Sequence, residues 1–151
     1  MGEVNEHLVT SSPEGMFVTL FLAVLDTATG DLRYVNAGHP PGLVVCGDTG
    51  EVTRLEQGGL IAGAVAGARY EEGRLVLPPG SILAIYSDGV TEAVRAGGEM
   101  YEEERLIAAL RERVGSGARG ALDGVLASVD AFSVGVEQAD DITLVAVQRM
   151  E

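Results

Sequence analysis

Tyr86-Ser87-Asp88-Gly89-Val90-Thr91-Glu92-Ala93, read with Asp140-Asp141-Ile142-Thr143 near the C-terminus, decides how the rest of this chain is read. Each segment joins a carboxylate to a strongly apolar run, residues 81–86 before the first and 142–147 after the second. A strand built from such a run holds a carboxylate rigidly at its end, facing solvent. Two carboxylates delivered in this way can ligate a hard cation such as Mg²⁺ or Mn²⁺, which takes one or two carboxylates and completes its octahedron with water and phosphate. Asp also favours turns, so each segment taken alone is first of all a turn.

Outward from these segments the pattern is strands, then helices, then a last strand. Residues 81–86, nearly all apolar, predict a strand covered on both faces, and 70–77 predict another that Pro78-Pro79-Gly80 stops. Residues 16–26 and 31–37 predict a hairpin around Thr27-Ala28-Thr29-Gly30, whose glycine can take a positive φ. After Pro40-Pro41, residues 42–46 and 51–55 predict a second hairpin around Gly47-Asp48-Thr49-Gly50. Residues 57–67 are rich in Gly and Ala without a period and predict a loop.

Leu106, Ile107, Leu110 and Val114 share one helical face. Glu102, Glu103 and Glu104 stand at the positive N-terminal end, and Gly115 is placed to close the helix. Ala121, Leu122, Val125, Leu126, Val129 and Phe132 repeat the helical spacing, and 142–147 reads as a central strand. The fold class is α+β.

The chain has 151 residues, 46% of them apolar, which is enough for one cored domain spanning 1–151. Its net charge of −13, from 23 acidic and 10 basic residues, repels nucleic acid and anionic lipid and attracts divalent cations. A single cysteine, Cys46, excludes an internal disulfide and a thiolate cluster, and a buried apolar role is expected for it. No apolar run has the length of a membrane span, and Met1-Gly2-Glu3-Val4 lacks the basic start of a secretory signal. A cytoplasmic location is expected. Gly58-Gly59, Gly63 and Gly67 lack the strand, turn and helix context of a nucleotide-binding loop.

Six pieces of the chain carry a family resemblance: Val4-Asn5-Glu6-His7-Leu8, Met16-Phe17-Val18-Thr19-Leu20-Phe21, Tyr34-Val35-Asn36-Ala37-Gly38-His39-Pro40-Pro41, Leu83-Ala84-Ile85 running into Tyr86 to Ala93, Glu103-Glu104-Arg105-Leu106, and Asp140-Asp141-Ile142-Thr143-Leu144-Val145-Ala146-Val147. In this order they resemble the stage II sporulation protein E type of bacterial serine/threonine phosphatases, a branch of the metal-dependent PPM (phosphatase 2C-like) class. The resemblance implies a β-sandwich flanked by helices in αββα layers, with two Mn²⁺ or Mg²⁺ ions bridged by a water at one edge. It implies metal-ligand and catalytic roles for Asp88 and Asp140, with Asp141 the lesser ligand of its pair. The implied reaction is attack of metal-activated water on a phosphoserine or phosphothreonine of a regulatory protein, such as an anti-sigma-factor antagonist, without a covalent phosphoenzyme.

Members of this family also carry a Gly-Asp-(Val/Ala)-Ser-Gly-His-Gly type segment whose Asp bridges both metals, and this sequence contains none. The chain is therefore expected to correspond to the C-terminal two-thirds of the family domain, N-terminally incomplete, with weak metal binding and little turnover by itself. Uncovered sheet edges make a homodimer the expected state. The alternative reading is a non-catalytic phosphatase-like module that binds a signalling partner or mediates dimerisation. His39 is expected to make a structural loop hydrogen bond, His7 to be solvated, and Glu92 to cap the next segment or contact a metal-bound water.

Overall fold

The computed structural model describes residues 1–13 and 15–150. The chain divides into two compact units, Met1–Pro41 with Leu55–Val76, and Gly42–Arg54 with Leu77–Glu151.

In the first unit, α1 (Gly2–Ser11) precedes β1 (Leu20–Leu25) and β2 (Asp31–Ala37), which pair antiparallel with Leu25 opposite Leu32. The predicted hairpin turn is fixed by Asp26, whose carboxylate accepts the amides of Ala28 (2.9 Å) and Thr29 (3.2 Å), and by Gly30 at φ 80°. These amides, Thr29 first, hold the Asp26 carboxyl below its ordinary range. β6 (Gly73–Val76) pairs antiparallel with β2, and β5 (Gly58–Gly59) pairs parallel with Asn36 and Ala37. The 57–67 stretch thus adds a two-residue strand where a loop is expected. The reason is space, because a Cβ at Gly58 would lie 1.7 Å from the Asn36 carbonyl oxygen.

α1 is tied to this unit through Asn5, which is fully buried. Its amide donates to Val65 O (3.0 Å), and its oxygen accepts from Gly63 N (2.9 Å) and the Tyr70 hydroxyl (3.2 Å). Asn36 closes the turn before Pro40 by donating to His39 O and accepting from His39 N. His39 holds the expected structural position, with Nδ1 2.9 Å from Pro40 O. His7 is exposed on α1.

The second unit carries β3 (Gly42–Val45), β4 (Val52–Leu55), β7 (Ile82–Tyr86) and β8 (Leu144–Gln148) in the order β4-β3-β7-β8. Its helices are the single turn α2 (Asp88–Thr91), α3 (Glu102–Arg113) and α4 (Gly117–Phe132). Alternate strand residues Leu43, Val45, Ile82, Ala84 and Tyr86 form one core with Leu106 and Leu110 of α3 and Val125 and Val129 of α4. Val44 and Leu83, on the opposite strand face, are also buried, as the all-apolar run of β7 predicts.

Three expectations change here. β8 lies at the end of its sheet rather than the centre, and Val145 is 48% exposed while Leu144 and Ala146 pack on the helical core. α3 does not stop at Gly115, because Val114–Ser116 continue as a 3₁₀ turn and the break comes at Gly117, with φ 80°. Cys46 is only partly buried, at the end of β3, and hydrogen bonds with the Thr49 side chain and backbone hold its thiol below the ordinary value.

The mixed α+β class is the one expected: two four-stranded sheets accompanied by helices. Among the described residues no helix is long and apolar enough to cross a membrane.

Candidate functional site

The two acidic segments meet in the second unit because β7 and β8 are antiparallel neighbours, with Tyr86 opposite Leu144. Contact continues past the strand ends through one serine. Ser87 N donates to Thr143 O (2.9 Å), Thr143 N donates to Ser87 Oγ (2.9 Å), and that hydroxyl donates to Asp141 O (2.9 Å). Gly89 completes the junction. A Cβ there would stand 2.4 Å from Asp141 O and 3.4 Å from Asp140 O, so only glycine lets the two loops approach this closely.

Asp88 begins α2 with an exposed side chain, and its Oδ1 accepts the Gly89 amide at 3.0 Å. Asp140 is also exposed, with Oδ1 accepting the Asp141 amide at 2.7 Å and its carbonyl accepting the Gln138 amide at 2.7 Å. Asp141 is exposed beside it. In the carboxylates of Asp88 and Asp140 one oxygen accepts the amide of the following residue. Among the described residues no arginine pairs with any of the three, so their charge stays uncompensated by the protein.

Carboxylates of this kind are the ligand type that a hard divalent cation takes, one or two at a time, with water and phosphate completing an octahedron. The donor set falls short of a two-ion cage. Among the described residues no group of three or more His, Cys, Asp or Glu side chains is gathered to hold a metal ion.

Glu92 does not cap the next segment by its side chain. Its backbone amide closes the turn onto Asp88 O (2.8 Å), while its carboxylate stands on the wall of a cleft that Gly89 and Asp140 also line. Arg95 and Arg105 both pair with Glu99 and lie 5.4 and 4.8 Å from the Phe132 ring centroid.

Behind the site, the buried Tyr86 donates its hydroxyl to Glu103 Oε2 (2.9 Å), and Arg54 Nη2 reaches Glu103 Oε1 at 2.5 Å. Burial first, then Glu103, push the Tyr86 phenol well above its ordinary value. Sequence reasoning missed Ser87 and this tyrosine-glutamate-arginine chain, since their partners are remote along the chain. The Ser-Asp-Gly spacing was a local signal for Gly89 alone.

Residues 1–150 match the family model described as Stage II sporulation protein E (SpoIIE). The chain is 33% identical over 146 residues to Protein IcfG of Synechocystis sp. (strain ATCC 27184 / PCC 6803 / Kazusa), covering 96% of this chain and 23% of that protein. It is 28% identical over 149 residues to the phosphoserine phosphatase RsbU of Bacillus subtilis (strain 168), covering 99% of this chain and 43% of the relative. The chain therefore spans less than half the length of these curated relatives. Among solved structures, it resembles the phosphatase domain of the cell fate determinant SpoIIE from Bacillus subtilis, presoaked with manganese. That likeness has a TM-score of 0.67 at 17% identity, over 99% of this chain and 73% of the other.

Proposed function

The chain belongs to the stage II sporulation protein E family, and from that premise we propose that it is part of a metal-dependent phosphatase domain acting on phosphoserine or phosphothreonine in a regulatory protein. Asp88 and Asp140 are the proposed metal ligands, with Asp141 the lesser member of its pair. The observation that carries this reading is the junction at Ser87 and Gly89, which binds the two acidic loops to one another. A bound Mg²⁺ or Mn²⁺ would supply charge neutralisation on the phosphate and a lowered pKa for water. The protein's own part is to hold two carboxylates on strand ends, anchor one oxygen of each to an amide, and keep the pair free of competing arginines. A lone phosphorylated side chain in an anti-sigma-factor antagonist fits this chemistry, with metal-activated water rather than a side chain as the nucleophile.

The decisive experiment is Mn²⁺-dependent hydrolysis of a phosphoserine peptide by the chain with a family-type Gly-Asp-Val-Ser-Gly-His-Gly segment fused in front, since the chain by itself is expected to turn over little. Asp88→Asn and Asp140→Asn should each lower the rate at least about 100-fold, since even residues behind a metal's direct ligands cost 10–100-fold. Equal rates in the wild type and both variants would end the proposal.

A second reading, a phosphatase-like module that binds its partner without turnover, is favoured by the absence of a third gathered donor among the described residues. It predicts partner binding that Asp88→Asn leaves intact, and no hydrolysis even when a family-type Gly-Asp-Val-Ser-Gly-His-Gly segment is fused in front.

A further inference from the structure

A cleft of about 520 Å³ lies within the second unit, with Asp140 in its wall. Gly89 and Asp140 form part of its wall, so it is continuous with the proposed site. Its apolar lining comes from Val129, Val136 and Ile142, with the exposed Met100 at the surface. Its rim is acidic, with Glu92, Asp130 and Glu137, and among the described residues no basic side chain lines it. Ser133, just past the end of α4, lines the same cleft with a buried Oγ that has no hydrogen-bond partner among the described residues.

We propose that this cleft binds the polypeptide segment next to the phosphorylated residue and takes from it an apolar side chain flanked by a basic one. The proposal rests on the phosphatase reading of Asp88 and Asp140. The volume falls in the range of pockets that enclose a ligand, and an apolar lining with a few polar groups at its edge is the usual composition of such pockets. The rim and the net charge of −13 repel an acidic segment and draw in a basic one. Specificity would thus be set beside the metal ligands, by side chains that take no part in the chemistry.

Two synthetic peptides test this: Arg-Leu-Ala-phosphoSer-Ala-Leu-Arg and Glu-Ala-Ala-phosphoSer-Ala-Ala-Glu, placing the same determinants on both sides of the phosphate. Binding is read by fluorescence anisotropy, and Mn²⁺-dependent hydrolysis is read as kcat/KM relative to p-nitrophenyl phosphate, which is too small to span the cleft. The wild type should favour the first peptide at least about tenfold in both readouts. Met100→Arg and Glu137→Arg, both at exposed positions, should each lower that preference about tenfold. Circular dichroism of each variant checks that the fold is kept.

Hydrolysis without a peptide preference, or a preference that neither variant alters, overturns the cleft proposal and leaves the phosphatase reading intact. A preference in binding that both variants abolish, without hydrolysis even by the chain with the family-type segment fused in front, supports the cleft and overturns the phosphatase reading. Absence of both overturns both.

Discussion

One methyl group at position 89 would strike the backbone oxygen of Asp141, and this makes the smallest residue in the site its most constrained. Gly89→Ala should cost about 1–3 kcal/mol in urea unfolding, as overpacking does, and should weaken Mn²⁺ binding in calorimetry by parting the two acidic loops. Unchanged Mn²⁺ affinity in that variant would separate the glycine from the site. That Asp88 and Asp140 stand in loops at the ends of strands was legible in the sequence, because an apolar run borders each of them. Ser87 was not, since its hydroxyl acts on Asp141, 54 positions away, and nothing local records that. Asn5 was hidden for the same reason: it stands in a short polar helix, yet its partners are Gly63, Val65 and Tyr70. Asn5→Ala should destabilise by about 1–3 kcal/mol, the cost of stranding buried partners, again measured by urea unfolding.

At the scale of elements, strand β7 couples the core to the site through Tyr86, and its chemistry gives the molecule an alkaline limit. The folded phenol titrates above its unfolded value of about 10. The folded state therefore keeps a proton that the unfolded state releases. The stabilisation is complete below pH ~10 and is lost as the pH rises from there through the folded value. Tyr86→Phe should flatten that loss in stability measured between pH 9 and 11, and should remove about 1.5–3 kcal/mol at neutral pH, as expected for a hydrogen bond to a charged group. Both hairpins and both long helices were legible, because period and turn residues agree in each. The boundaries failed where apolar residues are not buried. Residues 16–18 read as strand, but β1 starts at Leu20, and Val18 makes only an isolated bridge to Ala62. β8 reads as central because its sequence is apolar throughout, although sheet position depends on which strands are present to flank it.

For the molecule as a whole, the open end of the first unit's sheet is the feature with consequences for assembly. β1 lies at that end, with Leu22 and Val24 about half exposed. Such an edge offers both unpaired backbone and apolar surface. A dimer is the expected species in light scattering at micromolar concentration, and Leu22→Lys with Val24→Lys should shift it to monomer; a wild-type monomer would contradict the dimer. Composition made the charge and single cysteine legible, while the division into two units was not, because it follows no boundary in composition. The chain passes between these units three times, since residues 42–54 belong with 77 onwards and residues 55–76 with the beginning. Inheritance of the site is thereby tied to a hairpin 33 or more positions before Asp88, because β3 is a strand that flanks β7. Recombination with a homologue at a single crossover near residue 77 would graft the aspartates onto a foreign β3. Chimeras that exchange 42–54 together with 77–150 should remain cooperative in unfolding, and those that exchange only the later stretch should not.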